Sequence, residues 1–515
     1  MNTDEIIAKG IKGSTAKGRG LYSLIPTIML IMTVSLLVAC GGSSGGSSGP
    51  ATSESVVARG VITQLGSIWV NGVEYETPDG GLYSDDDSTS TTASYQVGQV
   101  VSLRGRRNDD GVSGTADEVE YEAEIEGAAG ADNTINGVTI LIDNNTNITR
   151  APSISASALL LDIDQRYEVS GFRVSDFIIQ ATFIKHDDDL GPSGDGIDEV
   201  KGPVDTVDAT SITVHGVKYL SPDAAAFSRG DIVEVHFDPA SCTGSIPNRI
   251  CNADIVELED DFNDEVEGLE AEFEGAVNMD PTDLAACPTG AKFLIGPTCI
   301  DWDSVPPNGW MDGLVDSDDM VPGLRVEAEG HFNSDGLLIA EKIKGRGNRV
   351  RITAVASSVG PETFEVFGGT IQVTYQSGLT DSSDASITDG AGLEIRGIRT
   401  GPTSVLALRI KDDSVNSTSI HVLRAKVDEN GADPNPSAQT ITVMGVTSDA
   451  DGSTQLEIED VPYLLGIVKF LTSIDDDNIV NSTNGARDVV DVRIDLTKAG
   501  SIYYAKQIEI EREDD

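Results

Sequence analysis

Hydrophobic and polar residues alternate in short runs along most of the chain, and Val, Ile and Thr are frequent in those runs. Residues 98–105 read Gly-Gln-Val-Val-Ser-Leu-Arg-Gly, and 230–235, 323–330 and 392–397 have the same form. A period of two places successive side chains on opposite faces of a β-strand. Gly-containing turns separate the runs, and no amphipathic helix is indicated after the N-terminal segment. The pattern predicts an all-β protein of antiparallel strands.

An internal repeat organises these strands. Each unit opens with a hairpin-like stretch and closes with Ala-x-x followed by an apolar residue, and the steps between the six alanines are 65, 72, 87, 67 and 98 residues. The alanines are Ala116, Ala181, Ala253, Ala340, Ala407 and Ala505. Six related units on one chain predict a repeat architecture.

A unit of about 65 residues is only marginally stable as an open sheet, because it buries roughly 60% of its unfolded surface. Closure removes exposed strand edges, so we predict tandem small antiparallel OB-like β-barrels, with one continuous set of packed sandwiches as the alternative. The acidic connector at 186–194 favours separate beads. The predicted segments are a signal peptide (1–39), a Gly/Ser linker (40–55), and repeats 1 (56–122), 2 (123–190), 3 (191–262), 4 with an insert (263–347), 5 (348–413) and 6 with an insertion (414–515).

Four short motifs resemble those of a repeat family of unknown function, found in proteobacterial lipoproteins as tandem small β domains. In repeat 1 they are Gly-x-Ile-Thr at 60–63, Val-Asn-Gly-Val at 70–73, Val-Gly-x-x-Val at 97–101 and the close at 116–119. Repeats 3 and 4 fit the pattern in part, and repeats 2, 5 and 6 fit it loosely. The resemblance implies location and architecture and brings no known activity or catalytic residue.

The N-terminal segment has the form of an export signal. Basic residues precede an apolar stretch at 21–39, which ends in Leu-Val-Ala before Cys40. This run resembles the bacterial lipobox, and the resemblance implies cleavage before Cys40, lipid attachment to it and retention at a bacterial membrane. Gly41 in place of Asp implies onward sorting to the outer membrane. An uncleaved signal anchor is the alternative, because the apolar run is nearly long enough to span a membrane.

The chain is strongly acidic, with 85 Asp and Glu against 35 Lys and Arg and a net charge of −50. A field of that sign repels phosphate backbones, which argues against nucleic acid as a partner. The charge also keeps an exported protein soluble.

Four cysteines remain once lipid takes Cys40. An even number in an exported protein predicts disulfides, and four cysteines allow three pairings. The local pairs Cys242–Cys251 and Cys287–Cys299 keep each bridge within one repeat. A zinc site is the weaker interpretation, because eight and eleven residues separate the paired cysteines where two to four are usual.

Catalytic and metal-binding motifs are absent from the sequence. The five histidines are scattered among the repeats and have no second ligand at metal-binding spacing, so we expect no metal or catalytic residues. Acidic clusters at 85–87, 187–189, 318–319 and 475–478 suggest Ca²⁺ as a possible cofactor, yet adjacent aspartates usually lie on solvated loops. The Asp-x-Asp-Gly loop at 449–452 is not an EF-hand, because positions one and twelve would be Thr447 and Ile458.

The insert of repeat 4 holds Trp302 and Trp310 beside Asp301, Asp303 and Asp312. Aromatic rings beside carboxylates on a disulfide-stiffened loop suit a sugar or peptide ligand. The alternative is a miniature core in which both rings are buried.

Three functions are consistent with these features. The leading one is a non-enzymatic envelope lipoprotein, a string of β domains that binds an unidentified protein or glycan. The alternatives are a divalent-cation-stabilised adhesion or matrix module and, less favoured, a carbohydrate-active enzyme.

Overall fold

The computed structural model describes residues 54–512 apart from 79–80, 86–88, 91–93, 122, 144–145, 150–159, 187–196, 247, 260–266, 428–431, 459–460, 463–467, 469–489 and 500–501. The signal peptide, Cys40 and most of the linker lie outside the described residues, as do the acidic clusters at 187–189 and 475–477. No helix in the part of the chain that the structure describes has the length and apolar character needed to cross a membrane.

Strands dominate the described residues, as the alternation predicts. Repeat 1 contains β1 (Glu54–Gln64), β2 (Ile68–Val70), β3 (Val73–Glu76), β4 (Leu82–Asp85), β5 (Thr89–Ser90), β6 (Val100–Arg107) and β7 (Ser113–Tyr121). Repeat 2 contains β8 (Ile125–Ala128), β9 (Thr134–Ile135), β10 (Val138–Leu141), β11 (Asn147–Thr149), β12 (Arg166–Ser175) and β13 (Ile178–His186). The predicted linker is two residues too long, because Glu54 and Ser55 pair with Arg107 and Arg106 in the first sheet.

Repeats 3 and 4 carry the short helical segments. Repeat 3 contains β14 (Asp198–Asp208), β15 (Ser211–Val214), β16 (Val217–Leu220), β17 (Ile232–Phe237), β18 (Ile250–Leu258) and 3-10 turns at Ala224–Ala226 and Pro239–Ser241. Repeat 4 contains β19 (Glu270–Asn278), α1 (Pro281–Leu284), β20 (Phe293–Ile295), β21 (Thr298–Asp301), β22 (Trp310–Met311), β23 (Arg325–Phe332), β24 (Leu338–Gly345) and 3-10 turns at Pro307–Gly309 and Ser317–Asp319.

Repeats 5 and 6 complete the chain. Repeat 5 contains β25 (Arg349–Val355), β26 (Thr363–Val366), β27 (Ile371–Thr374), β28 (Asp381–Asp384), β29 (Gly392–Gly401) and β30 (Ser404–Asp412). Repeat 6 contains β31 (Ile420–Val427), β32 (Ala432–Asn435), β33 (Thr440–Val443), β34 (Val446–Asp449), β35 (Gln455–Ile458), β36 (Val461–Pro462), β37 (Val490–Ala499) and β38 (Ile502–Arg512).

The repeats form small closed barrels of five strands, which confirms the predicted fold class. In repeat 1 the circuit runs β1-β2-β3-β7-β6 and returns to β1. Only the β3–β7 contact in this circuit is parallel. Repeats 3 and 4 close in the same way, through β14-β15-β16-β18-β17 and β19-β20-β21-β24-β23. Closure satisfies the backbone groups that an open edge would expose.

The closing alanines share one structural position, which is beside a β-bulge. Gly105 pairs with Ala116 directly after a register shift between β6 and β7, and Gly330 pairs with Ala340 in the same way. A Cβ on Gly105 would lie 2.2 Å from the carbonyl oxygen of Thr115, so only glycine fits there. The same shift precedes Gly171–Ala181, Phe237–Ala253, Gly397–Ala407 and Leu496–Ala505. The Ala-x-x motif therefore marks the bulge that bends each closing hairpin.

The barrels are not separate beads, and the prediction of independent units is wrong. β1 of repeat 1 pairs in parallel with β19 of repeat 4, from Val56–Glu270 to Arg59–Phe273. Repeats 2 and 3 share a sheet through β8 and β14, and repeats 5 and 6 through β25 and β31. The physical reason is that the first strand of each barrel extends past the circuit and offers a second edge, which another barrel covers.

Repeat 4 also shares its hydrophobic core with other repeats. Its buried Phe273, Val326 and Ile343 lie in one cluster with Val57 of repeat 1 and Val174 of repeat 2. Ile398, Leu406 and Leu408 of repeat 5 belong to the same cluster. Apolar contacts thus connect repeat 4 to three other repeats, and removing any one of them would expose hydrophobic surface.

Candidate functional site

Charged side chains form a row across the sheet that repeats 2 and 3 share. Glu126 of β8 lies opposite Glu168 of β12 on one side and Glu199 of β14 on the other. His236 of β17 continues the row, directly opposite Glu199. At the other end Lys185 Nζ lies 2.6 Å from Glu168. Three carboxylates thus lie side by side between two basic groups.

His236 lies where this row meets two further glutamates. Its Nδ1 donates a hydrogen bond of 3.1 Å to Glu199 Oε1. Its Nε2 lies 3.6 Å from Glu234 Oε2 and 3.9 Å from Glu257 Oε2. His236 is 9% exposed, and its buried Nε2 makes no hydrogen bond within the described residues. The hydrogen bond to Glu199 and then the nearby carboxylate of Glu234 raise the pKa of His236 to about 10.

Arg166 joins the two repeats beneath this cluster. Its guanidinium lies 2.6 Å from Asp198 and 3.3 Å from Glu126, and all three side chains are buried. Burial, and then the neighbouring charge of Glu199, raise the pKa of Glu126 to about 8. One arginine between buried carboxylates indicates that this part of the row is structural.

A second acidic cluster lies where repeats 1 and 4 pair. Arg107 of β6 contacts the carboxylates of Glu270 and Glu272 on β19, and lies 3.5 Å from Glu329 on β23. Burial raises the pKa of Glu272 to about 8. The three carboxylate oxygens are close enough together to hold a cation. The guanidinium already supplies that positive charge.

The sheet of repeats 5 and 6 carries a row of arginines. Arg409, Arg396, Arg351, Arg424 and Arg493 lie opposite one another on five neighbouring strands. Carboxylates lie beside four of these arginines: Asp319 and Glu394 beside Arg351 and Arg396, Asp381 beside Arg409, and Asp495 beside Arg493. Like charges on neighbouring strands destabilise a sheet unless anions intervene.

A small cleft opens on this arginine row at the boundary with repeat 4. Arg349, Arg351, Arg396 and Arg424 line it together with Asp319 and several apolar groups. Its volume is about 30 Å³. At roughly 10–15 Å³ for each water, the cleft has room for about two waters or one carboxylate-sized group.

Two carboxylates hold the arginines of this cleft in place. Asp319 lies 3.3 Å from Arg351 and 3.0 Å from Arg396, which links repeats 4 and 5. Glu394 lies 3.2 Å from Arg351 and 2.9 Å from Arg396. Burial opposes ionisation of Glu394, yet the two arginines outweigh it and lower its pKa. The guanidiniums are therefore fixed in position before any ligand arrives, which lowers the entropic cost of binding.

The tryptophans of the insert pack on repeat 4. Trp302 stacks on the buried Phe293 at 5.3 Å between ring centroids, and Trp310 meets the edge of Trp302 at 6.3 Å. Asp303 pairs with Lys292 at 2.8 Å, and Asp312 pairs with Arg346 at 3.3 Å. These contacts match the miniature core, while a ligand at the exposed parts of Trp302 and Trp310 stays a prediction.

Both local disulfides are formed. Cys242 is bonded to Cys251 in repeat 3, and Cys287 is bonded to Cys299 in the insert of repeat 4. Cys251 is buried and lies on β18, the strand that pairs with β17. Each bridge therefore constrains a loop within a single repeat.

The described part of the acidic clusters shows aspartates that serve the fold. Asp319 is buried against arginines, and Asp451 Oδ1 accepts hydrogen bonds from the backbone and hydroxyl of Ser453. The side chains at 85–87 lie outside the described residues. Calcium binding stays a prediction from composition.

Sequence reasoning missed the His236 cluster and the arginine cleft. The available signal was Glu234-x-His236, because residues that are two positions apart along a strand lie on the same face. Glu199 and Glu257 lie more than 20 residues away along the chain, and strand register alone brings them to His236. The arginines of the cleft are likewise spread over 76 positions from Arg349 to Arg424.

Comparison with known families supports the repeat. Four segments match the family described as "Domain of unknown function (DUF5666)", at residues 59–120, 122–185, 310–344 and 351–411. Repeats 1, 2 and 5 match over most of their length and repeat 4 over its second half, so repeats 2 and 5 fit better than the motifs indicated. No curated protein and no solved structure matches the chain.

Proposed function

We propose that this chain, built from tandem repeats of a domain of unknown function, is a non-enzymatic cell-envelope lipoprotein. Its β-barrels bind a protein or glycan partner, and lipid on Cys40 holds them at the outer membrane. The observation that carries the binding role is the cleft formed by Arg349, Arg351, Arg396 and Arg424 in a chain of net charge −50. Four guanidiniums and one carboxylate line it, so its ligand carries negative charge.

The size of the cleft limits what enters it. A volume of about 30 Å³ admits one carboxylate or phosphate group and excludes a sugar ring. The partner therefore presents a single anionic group, such as a uronate of a glycan or an acidic side chain of a protein, while the rest of it lies on the surrounding surface. Paired guanidinium donors match the planar geometry of a carboxylate.

Replacing Arg351 and Arg424 together by glutamine is expected to weaken binding of the partner at least about tenfold, because each charged hydrogen bond contributes about 1.5–3 kcal/mol. Both side chains are only partly buried, so folding is retained. The measurement is retention on an array of neutral and uronate-bearing glycans and acidic peptides. The array also decides whether the partner is a glycan or a protein.

The matched control is Arg106→Gln, which removes an exposed arginine of repeat 1 that pairs with Asp117. This variant keeps full retention if the cleft is the site. Equal retention by the Arg351→Gln/Arg424→Gln variant and the control would contradict the proposed binding role.

The anchor rests on the Leu-Val-Ala-Cys sequence that ends at Cys40. Several acyl chains, at about 0.8 kcal/mol per buried CH₂, hold such a protein permanently at a membrane. Replacing Cys40 by serine is expected to abolish membrane retention and leave an unprocessed precursor, as seen by fractionation after a high-salt wash. A mature-sized Cys40→Ser protein that still sediments with membranes would refute the anchor.

A further inference from the structure

We propose that Glu234, His236 and Glu257 of repeat 3 bind one divalent transition-metal ion, with Zn²⁺ as the representative ion. The site lies on the outer face of the β14-β17-β18 sheet and is separate from the arginine cleft of repeat 5. This inference goes beyond the proposed envelope function and does not depend on it.

The donor atoms converge on one point. Nε2 of His236 lies 3.6 Å from Glu234 Oε2 and 3.9 Å from Glu257 Oε2, and all three atoms lie within 4.8 Å of one another. Bonds of about 2.0–2.1 Å to a tetrahedral Zn²⁺ place its ligand atoms roughly 3.3 Å apart. Glu257 has a side chain that is 58% exposed, so it has the freedom to close the remaining gap.

The buried imidazole is the feature that distinguishes this cluster from ordinary surface acids. His236 is 9% exposed, and its Nε2 is buried with no hydrogen-bond partner in the described residues. Its neighbours there are the carboxylates of Glu234 and Glu257, and a bound cation would take the place of the proton that Nε2 holds beside them.

Glu199 prepares the ring for this role. Because Nδ1 keeps its hydrogen on Glu199 Oε1 at 3.1 Å, Nε2 is the nitrogen that can release its proton and offer a lone pair to a metal. A carboxylate that holds the distal nitrogen fixes the tautomer and orientation of a metal-binding histidine. Glu199 is thus a positioning residue, while Glu234, His236 and Glu257 supply the ligands.

The ligand types select the class of metal. Imidazole with carboxylates suits Zn²⁺ and neighbouring transition ions, whereas Ca²⁺ and Mg²⁺ prefer oxygen ligands alone. Three protein ligands leave a fourth position open to water or to a group of a partner. The cluster of Glu270, Glu272 and Glu329 offers carboxylates only, and the guanidinium of Arg107 already contacts all three of them.

The test is Zn²⁺ binding to the full chain, measured by calorimetry in millimolar Ca²⁺, which occupies exposed all-carboxylate sites. We expect one tight site per chain. His236→Gln and Glu257→Gln should each weaken it at least about tenfold, and Glu199→Gln by about 10- to 100-fold. Co²⁺ provides a second readout, since a visible absorption band of a low-symmetry N/O site should disappear in the His236→Gln protein.

The control is His331→Gln, since His331 is a half-exposed histidine beside one carboxylate, 3.2 Å from Glu341. It should leave the tight site unchanged. Glu257→Gln alters an exposed side chain, so its loss of affinity cannot be assigned to misfolding. Absence of a tight site in the native chain, or equal affinity in the native, His236→Gln and Glu257→Gln proteins, would overturn the proposal.

Discussion

Replacing Arg107 by glutamine is expected to destabilise the pairing of repeats 1 and 4 by about 3–5 kcal/mol. Arg107 has a side chain that is 13% exposed and contacts Glu270, Glu272 and Glu329. Without its guanidinium, Glu270 and Glu272 lose the cation between them, while Glu329 keeps Lys342 Nζ at 2.9 Å. The cost comes mainly from buried, uncompensated charge and far less from the lost hydrogen bonds.

Two measurements report this effect. Denaturant titration gives the loss of stability, and amide hydrogen exchange shows where the structure opens. Exchange should increase in β1 and β19, because their parallel pairing lies beside the cluster. Above pH 8, where Glu272 is ionised, a second substitution, Glu272→Gln, removes one of the repelling charges and should restore part of the lost stability.

Arg106→Gln is the appropriate comparison, because Arg106 precedes Arg107 on the same strand and its pair with Asp117 is exposed. Exposed pairs contribute about 0–1 kcal/mol, so this variant should behave almost as the native protein does. An Arg107→Gln protein within about 1 kcal/mol of the Arg106→Gln protein would show that the cluster does not hold the two repeats together.

The stability of the same region should fall as the pH rises from about 5 to 8. Glu272 has an ordinary pKa of 4.5, and burial raises its pKa to about 8 in the folded chain. Between those values the folded protein retains a proton that the unfolded chain has released. Stability therefore decreases with rising pH over this window and becomes constant above the folded pKa.

Over this pH window Glu272 is expected to lower the free energy of unfolding by on the order of 3 kcal/mol, since each pKa unit corresponds to about 1.4 kcal/mol. Glutamine resembles the protonated acid, so Glu272→Gln should match the native protein at pH 5 and exceed its stability at pH 8. The difference between the two proteins reports Glu272 alone and leaves out other carboxylates. Glu327, for example, is buried, yet Arg346 and Lys344 lower its pKa. Denaturant titrations at both pH values measure the difference.

Glu76→Gln provides the control, because the side chain of Glu76 on β3 is exposed. Its stability difference from the native protein should not change with pH. If the Glu272→Gln difference were also independent of pH, Glu272 would be ionised throughout the range and the cluster would carry full charge. Glu126 has its pKa raised in the same direction and should add to the slope through repeats 2 and 3.

The sequence determined the architecture of each repeat because the interactions responsible are local. Alternation set the strands, and Asn71-Gly72, both at positive φ, gave a tight turn of the kind that hairpins use. The Gly-to-Ala spacing reflects a bulge that forms between adjacent strands of one hairpin, such as Gly105 and Ala116. The local disulfides follow from the same closeness along the chain.

The tertiary structure decided how the repeats combine and where charged groups meet. Val56 lies beside Glu270 only because β1 pairs with β19, and no local pattern reveals which edge another barrel will cover. The arginine cleft and the site of Glu199, Glu234, His236 and Glu257 depend on the register between such strands. The sequence of one strand specifies which of its side chains share a face. Which faces adjoin depends on the pairing between distant strands, and the backbone hydrogen bonds of that pairing form with almost any sequence.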